Sequence, residues 1–288
     1  MINIDAEIYR EFTCKADKCK HTCCSGWEID IDDDTLDYYN GLDTELGNEI
    51  RKNISGCGQE GESASFMLTT NERCPFLKDD GLCRLIEELG EDGLCDICRL
   101  HPRFFEAIDD YNLAGVGLSC ERVCELLFSK SSLEFIICDS EKRISFTELL
   151  ELLKIDILHD YLKLSCVVPD YLAESKIEKI LDIFFESEPI DDNWKKEVQL
   201  LKNSYGDYVT DLEIDKYEII YQYIIFRQLE MIRIYGTKKI IEYAIYSIIY
   251  IMLYAKCINN DIEAVRRWSE QIEYNEDSMS YFDSCIDL

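Results

Sequence analysis

Basic residues are scarce in this 288-residue chain: 30 Lys and Arg stand against 59 Asp and Glu, a formal net charge of −29. A phosphate-binding face needs surplus cations, so the balance argues against nucleic acid as a partner. The same acidity suits a soluble surface and permits attraction to a basic partner. Proline is rare, at four residues, and none marks a domain boundary; there is no internal repeat and no low-complexity linker. The first residues, Met1 to Glu7, have neither the basic n-region nor the apolar h-region of a signal peptide, so the expected compartment is the reducing cytosol. The most apolar run, Tyr243 to Ala255, is short for a bilayer span and is closed by Glu242 and Lys256. It reads as a buried central helix, with no membrane implied. Gly-rich turns of the nucleotide-cradling kind are missing as well, because Gly56-Cys57-Gly58 and Gly115-Val116-Gly117 stand isolated.

What the chain does have is cysteine. Eleven of its fifteen thiols fall in the first 124 residues. The densest run is Cys14-x4-Cys19-x3-Cys23-Cys24, followed by Cys74-Pro75, Cys83, Cys95-x2-Cys98 and Cys120-x3-Cys124. In a reducing compartment, short-spaced thiols separated by turn residues read as ligands for zinc or iron rather than as bridges. Adjacent Cys23 and Cys24 reach one metal only in a tight turn, or else serve separate purposes. His21 and His101 are further candidates, as an extra ligand and as a packed or proton-moving imidazole respectively. Arg99 and Arg103 lie close in sequence to several thiols, where they could lower thiol pKa values, offset charge or grip a carboxylate.

Along the chain, Glu28 to Asp32 alternates like a short strand and Ser65 to Leu68 offers a second. Asp33-Asp34-Thr35 caps a helix expected over Leu36 to Ile50. Lys78-Asp79-Asp80-Gly81 predicts a tight turn presenting Cys83, then a short helix from Arg84 to Leu89 stopped by Gly90. Ser119 is expected to cap a helix carrying Cys120 and Cys124 on one face. Beyond residue 130 the apolar period predicts helices near 146–164, 171–186, 193–203, 214–235, 238–257 and 260–273. The tyrosines of the last long helices, Tyr217 to Tyr254, read as core, with an aromatic pocket for a methylated ammonium or sulfonium as the functional alternative. The fold class expected is mainly α. A cysteine-rich, metal-organised N-terminal domain with short strands covers 1–130, and an all-α helical domain covers 131–288.

The ordered set Cys14-x4-Cys19-x3-Cys23-Cys24-x-Gly26-Trp27, Cys74-Pro75-Phe76-Leu77, Gly81-Leu82-Cys83, Cys98-Arg99-x2-Pro102-Arg103 and Leu118-Ser119-Cys120-Glu121 resembles the flagellin lysine-N-methylase family. That family sits within a wider group of zinc- or iron-chelating cysteine-cluster proteins. The resemblance spans residues 12–128, and Tyr223-Ile224-Ile225-Phe226-Arg227 resembles a Tyr/Arg helix of the family. It implies a [4Fe–4S] cluster, or Zn2+ as second choice, and methyl transfer from S-adenosylmethionine to lysines of flagellin. On the matching positions it carries over Cys14, Cys19, Cys23, Cys24, Cys74, Cys83, Cys98 and Cys120 as the ligand pool. Cys57, Cys95 and Cys124 lie outside its most typical pattern. Arg99, Arg103 and Arg227 are the candidates for holding the methyl donor, and the helical half would supply a cleft for the lysine. No catalytic residue is visible, and neither is the Cys-x3-Cys-x2-Cys run of radical enzymes. A non-enzymatic metal carrier, redox sensor or zinc adaptor is the alternative reading.

Overall fold

The structure, a computed structural model, describes residues 1–56, 63–273 and 278–285; most of the turn-rich loop expected around Cys57 lies outside them. In chain order the strands are β1 (Ile2–Ala6), β2 (Ile29–Ile31), β3 (Ile54–Ser55), β4 (Ala64–Phe66), β5 (Arg103–Ile108), β6 (Tyr111–Val116), β7 (Glu134–Ile137) and β8 (Lys142–Ser145). The α-helices are α1 (Glu7–Glu11), α2 (Asp33–Gly41), α3 (Glu45–Lys52), α4 (Arg84–Leu89), α5 (Asp96–Leu100), α6 (Glu121–Phe128), α7 (Phe146–Leu152) and α8 (Leu164–Val167). They continue with α9 (Glu174–Glu186), α10 (Trp194–Ser204), α11 (Glu218–Arg227), α12 (Ile232–Tyr235), α13 (Thr237–Ile258), α14 (Asp261–Ile272) and α15 (Ser278–Cys285). The chain is mainly helical, as expected.

The chain forms two compact units, Thr13–Pro102 and Met1–Phe12 together with Arg103–Leu288. This differs from the division at 130 that cysteine density suggests. Residues 103–116 supply β5 and β6 to a sheet of order β5-β6-β1-β7-β8, whose central strand comes from the N-terminus. In that sheet β1 pairs parallel with β6 and antiparallel with β7. A buried central strand must satisfy its backbone groups on both edges, so it draws residues 103–145 into its own unit. The expectation of an all-α region over 131–288 is corrected by the β7–β8 hairpin, with Glu134 opposite Ser145 and Ile137 opposite Lys142.

Several expected helices are shorter than their apolar period. The helix near 146–164 starts with a capping box at Ser145 and Glu148 but stops at Leu152. There the Ile155 N–H bonds the Leu150 carbonyl and the Lys154 N–H bonds that of Glu151, with Lys154 in the left-handed region at φ 55°. That is a Schellman stop without glycine, which apolar periodicity does not reveal. Likewise the helix over 36–50 is two helices, α2 capped by Asp32 and α3 capped by Thr44.

In the larger unit, α13 runs through the core. Its length and composition would let it cross a membrane, yet 83% of its most apolar window is buried inside the unit. That is the packing of a core helix. The helix α11 docks on the sheet through Tyr223, whose hydroxyl accepts from the Val116 N–H (2.9 Å) and donates to the Val116 carbonyl (2.7 Å). Opposite Phe104 in the ladder stands Gly115. A Cβ there would come within 2.3 Å of the Phe104 ring and 3.0 Å of Phe226. Gly115→Ala is therefore expected to cost about 1–3 kcal/mol by overpacking, measured as a lower denaturant midpoint with an unchanged slope.

Candidate functional site

The Thr13–Pro102 unit has a small apolar core in which thiols take the place of aliphatic side chains. Cys74 and Cys95 are buried among Ile29, Tyr39, Phe66 and Phe76, and Cys24, Cys83 and Cys98 pack against this group. Local backbone contacts place each one. The Cys74 N–H bonds the Cys24 carbonyl at 2.8 Å, beside a bridge between Ser25 and Arg73. The predicted turn at Lys78–Gly81 closes as expected, with Gly81 N–H to Lys78 O at 3.0 Å and a bridge from Leu77 to Cys83. Gly81 at φ 83° and Gly90 at φ 78° supply the left-handed turns before Cys83 and after α4. Cys95 occupies the N-cap position of α5, and Cys98 follows within its first turn.

These thiols feel one another electrostatically. A hydrogen bond from Cys23 holds the Cys24 thiol down to about 7 against the effect of burial, helped by Thr22 and the charge of Arg73. Burial pushes Cys74 up to about 12 and also raises Cys83, with neighbouring thiols adding to both shifts. In the Cys95–Cys98 pair, Cys98 donates to Cys95, so Cys95 is the thiol inclined to ionise and Cys98 keeps its proton. Tyr39 closes the group from below, its hydroxyl donating to the Gly93 carbonyl at 2.8 Å. Among the described residues, no three His, Cys, Asp or Glu side chains are gathered in a coordinating arrangement. The thiols pack against one another and against aliphatic and aromatic side chains. Their chemistry nevertheless suits a thiophilic centre: five soft donors from three loops meet in one small core.

The structure thus brings together Cys24, Cys74, Cys83 and Cys98 from the ligand pool and adds Cys95, whose Cys-x2-Cys spacing was the signal for it. Cys23 joins through Cys24. Cys14 is exposed, its sulfur accepting from the Ala16 N–H at 3.4 Å, and Cys19 is half-buried. Cys120 and Cys124 belong to the other unit. There Cys120, rather than Ser119, stands at the N-cap of α6, and the buried Ser119 hydroxyl has no hydrogen-bond partner among the described residues. Cys124 is buried and donates to the Leu118 carbonyl. His101 packs beside Trp27, with ring centroids 5.9 Å apart, and burial holds it down to about 4, hence neutral.

The arginine candidates separate. Arg99 forms a surface ion pair with Asp96, both about half exposed. Arg103, in the larger unit, lies over the Phe12 ring at 5.2 Å. Arg227 lies 4.0 Å above the Phe104 ring centroid and pairs with Glu273. An open groove is lined by Asp30, Asp32, Asp33 and Asp96 beside Ile31 and Leu36. Asp32 is spent as a helix cap: despite burial, hydrogen bonds from Asp96 and Thr35 hold its carboxyl below the ordinary value.

A lysine-N-methylase of Salmonella typhimurium and one of Salmonella choleraesuis are each 28% identical to this chain over 120 residues, which is 39% of the chain and 29% of their own length. The flagellar biosynthetic protein FliU of Salmonella muenchen is 28% identical over 117 residues, covering 68% of that protein. The chain therefore spans less than a third of the two lysine-N-methylases it matches. No family model and no solved structure matches it.

Proposed function

We propose, on the premise that these similarities support assignment to the flagellin lysine-N-methylase family, that the chain is a metal-containing protein-lysine N-methyltransferase. Its substrate would be flagellin or a similar filament protein, and its methyl donor S-adenosylmethionine. The observation that carries the metal part is the convergence of Cys24, Cys74, Cys83, Cys95 and Cys98 in one small core. Four of these thiolates would hold a [4Fe–4S] cluster, with zinc as the second choice. When bound, such a centre would supply either electron transfer or a structural brace. The residues themselves contribute a dry, thiol-rich wall closed by Tyr39. The acidic surface favours approach of a lysine-bearing partner, and the lysine must lose a proton before its lone pair can accept a methyl group.

The short stretch shared with the lysine-N-methylases favours one second reading, a metal-binding or redox-sensing module without transferase activity. Protein purified without oxygen separates the two. The expected result is broad absorbance near ~400 nm, of the kind Cys-ligated iron–sulfur clusters give, together with donor-dependent methylation of flagellin lysines. Colourless protein with stoichiometric zinc and no methyl transfer would leave the binding-module reading.

A further inference from the structure

The thiol core leaves a polar cluster in the other unit unused. The strand β5 alternates, so Phe104, Glu106 and Ile108 turn one way while Phe105, 57% exposed, faces out. The inward side meets α11, with Phe104 and Phe226 rings 5.7 Å apart. Beyond the Phe104 ring, Arg227 Nε donates to Glu273 Oε1 at 3.3 Å, and the Glu273 side chain is fully buried. The Ser269 hydroxyl donates to the second Glu273 oxygen.

Glu106 is the exception in this arrangement. Its Oε2 is buried and has no hydrogen-bond partner among the described residues, although the residue as a whole keeps partial contact with solvent. The charged groups that act on it are Arg227 at the end of α11, Glu230 just beyond, and Glu273 after α14. Among the described residues, one guanidinium therefore stands among three carboxylates. Burial first, then the like charges of Glu230 and Glu273, push the Glu106 carboxyl up to about 7 against the pull of Arg227.

A buried acceptor without a donor calls for a missing donor, and the surplus negative charge says which kind. An anion would be repelled and a neutral group would leave the imbalance. An alkylammonium is a compact cation with three donors and an apolar stem suited to the Phe104 side of the cluster.

We propose that Glu106, held beside the Arg227–Glu273 pair, receives the ammonium of the substrate lysine and takes its proton. The assignment rests on the lysine-methylation reading for the identity of the ligand. In the step, one N–H bond of the ammonium breaks and an O–H bond forms on the carboxylate, leaving a neutral amine and a carboxylic acid. Arg227 acts as a positioning residue that neutralises Glu273 and keeps Glu106 as the open acceptor.

The test titrates n-butylammonium chloride into the full chain at pH 8, for the parent protein and for Glu106→Gln. Glutamine keeps the shape and carries no charge to bury, so the variant is expected to melt cooperatively at or above the parent temperature. Loss of a charge-assisted contact is expected to weaken butylammonium binding by about 10- to 100-fold, and Glu106→Asp is expected to recover part of it. Methyl transfer to flagellin is expected to fall by about 10²- to 10⁴-fold in Glu106→Gln. Equal binding by parent and Glu106→Gln, or binding by neither, overturns the assignment. Binding that depends on Glu106 in a protein that methylates nothing upholds the ammonium site and removes the transferase reading instead.

Discussion

Cys95→Ser/Cys98→Ser protein, purified without oxygen, is expected to retain under about a tenth of the parent's iron or zinc, since metal affinity in such sites is set by its thiolates. The two thiols are hydrogen-bonded to each other, and Cys95 is fully buried. Together they represent two of the five donors in the small core. A unit of this size has little apolar surface to bury, and the free energy of binding a structural metal becomes folding free energy, about 10–16 kcal/mol for zinc in small finger domains. The double variant should therefore also become sensitive to limited proteolysis between residues 13 and 102. By contrast, Cys14→Ser is expected to keep most of the metal, because Cys14 is exposed. Full metal content in the double variant, with loss in Cys14→Ser, would move the centre to the N-terminal thiol run and away from the core.

Arg227→Met is the second large effect. The variant keeps a flexible apolar side chain over Phe104 but strips the cationic partner from Glu273, whose side chain is fully buried while that of Arg227 is 13% exposed; the Ser269 hydroxyl bond to Glu273 remains. Removing one member of a buried pair leaves an uncompensated charge and typically costs about 3–5 kcal/mol. For a unit of this length that corresponds to a fall in melting temperature of roughly 10 °C. Arg227→Met/Glu273→Gln, which removes both charges, is expected to regain much of the loss, since the penalty lies in the orphaned carboxylate. Arg99→Met provides the scale at the other end. Its pair with Asp96 is half exposed on both sides, so the change is expected to stay within about 0.5 kcal/mol. Thermal melts of the four proteins in one buffer check both statements. An Arg227→Met melt within a degree of the parent would show that the Glu273 carboxyl is neutralised by other means.

Much of the smaller unit is legible in its sequence. The Glu28–Asp32 alternation, the Lys78–Gly81 turn and the Arg84–Leu89 helix with its Gly90 stop all rest on signals within ten residues. Each appears in the structure where that local chemistry places it. Cysteine spacing likewise pointed to a thiol cluster, because Cys-x2-Cys at the start of a helix puts both sulfurs on one side. Local signals failed where a distant partner decided the outcome. No local signal marked residues 2–6 as a strand, yet they form the central strand β1 because β6 and β7, more than a hundred residues away, complete its ladder.

The sequence by itself determined the helical character of the larger unit, the burial of α13, the thiol-rich chemistry of the smaller unit and the partial similarity to lysine-N-methylases. These follow from composition, periodicity and short spacings. Tertiary structure alone decided which thiols meet, that Cys120 belongs to a different unit from Cys98, that Arg227 answers to Glu273, and that Glu106 has a buried oxygen with no hydrogen-bond partner among the described residues. The physical reason is that ionisable and ligating groups acquire their character from neighbours and burial. Those neighbours come from strands and helices brought together by long-range pairing, which no local window of sequence records.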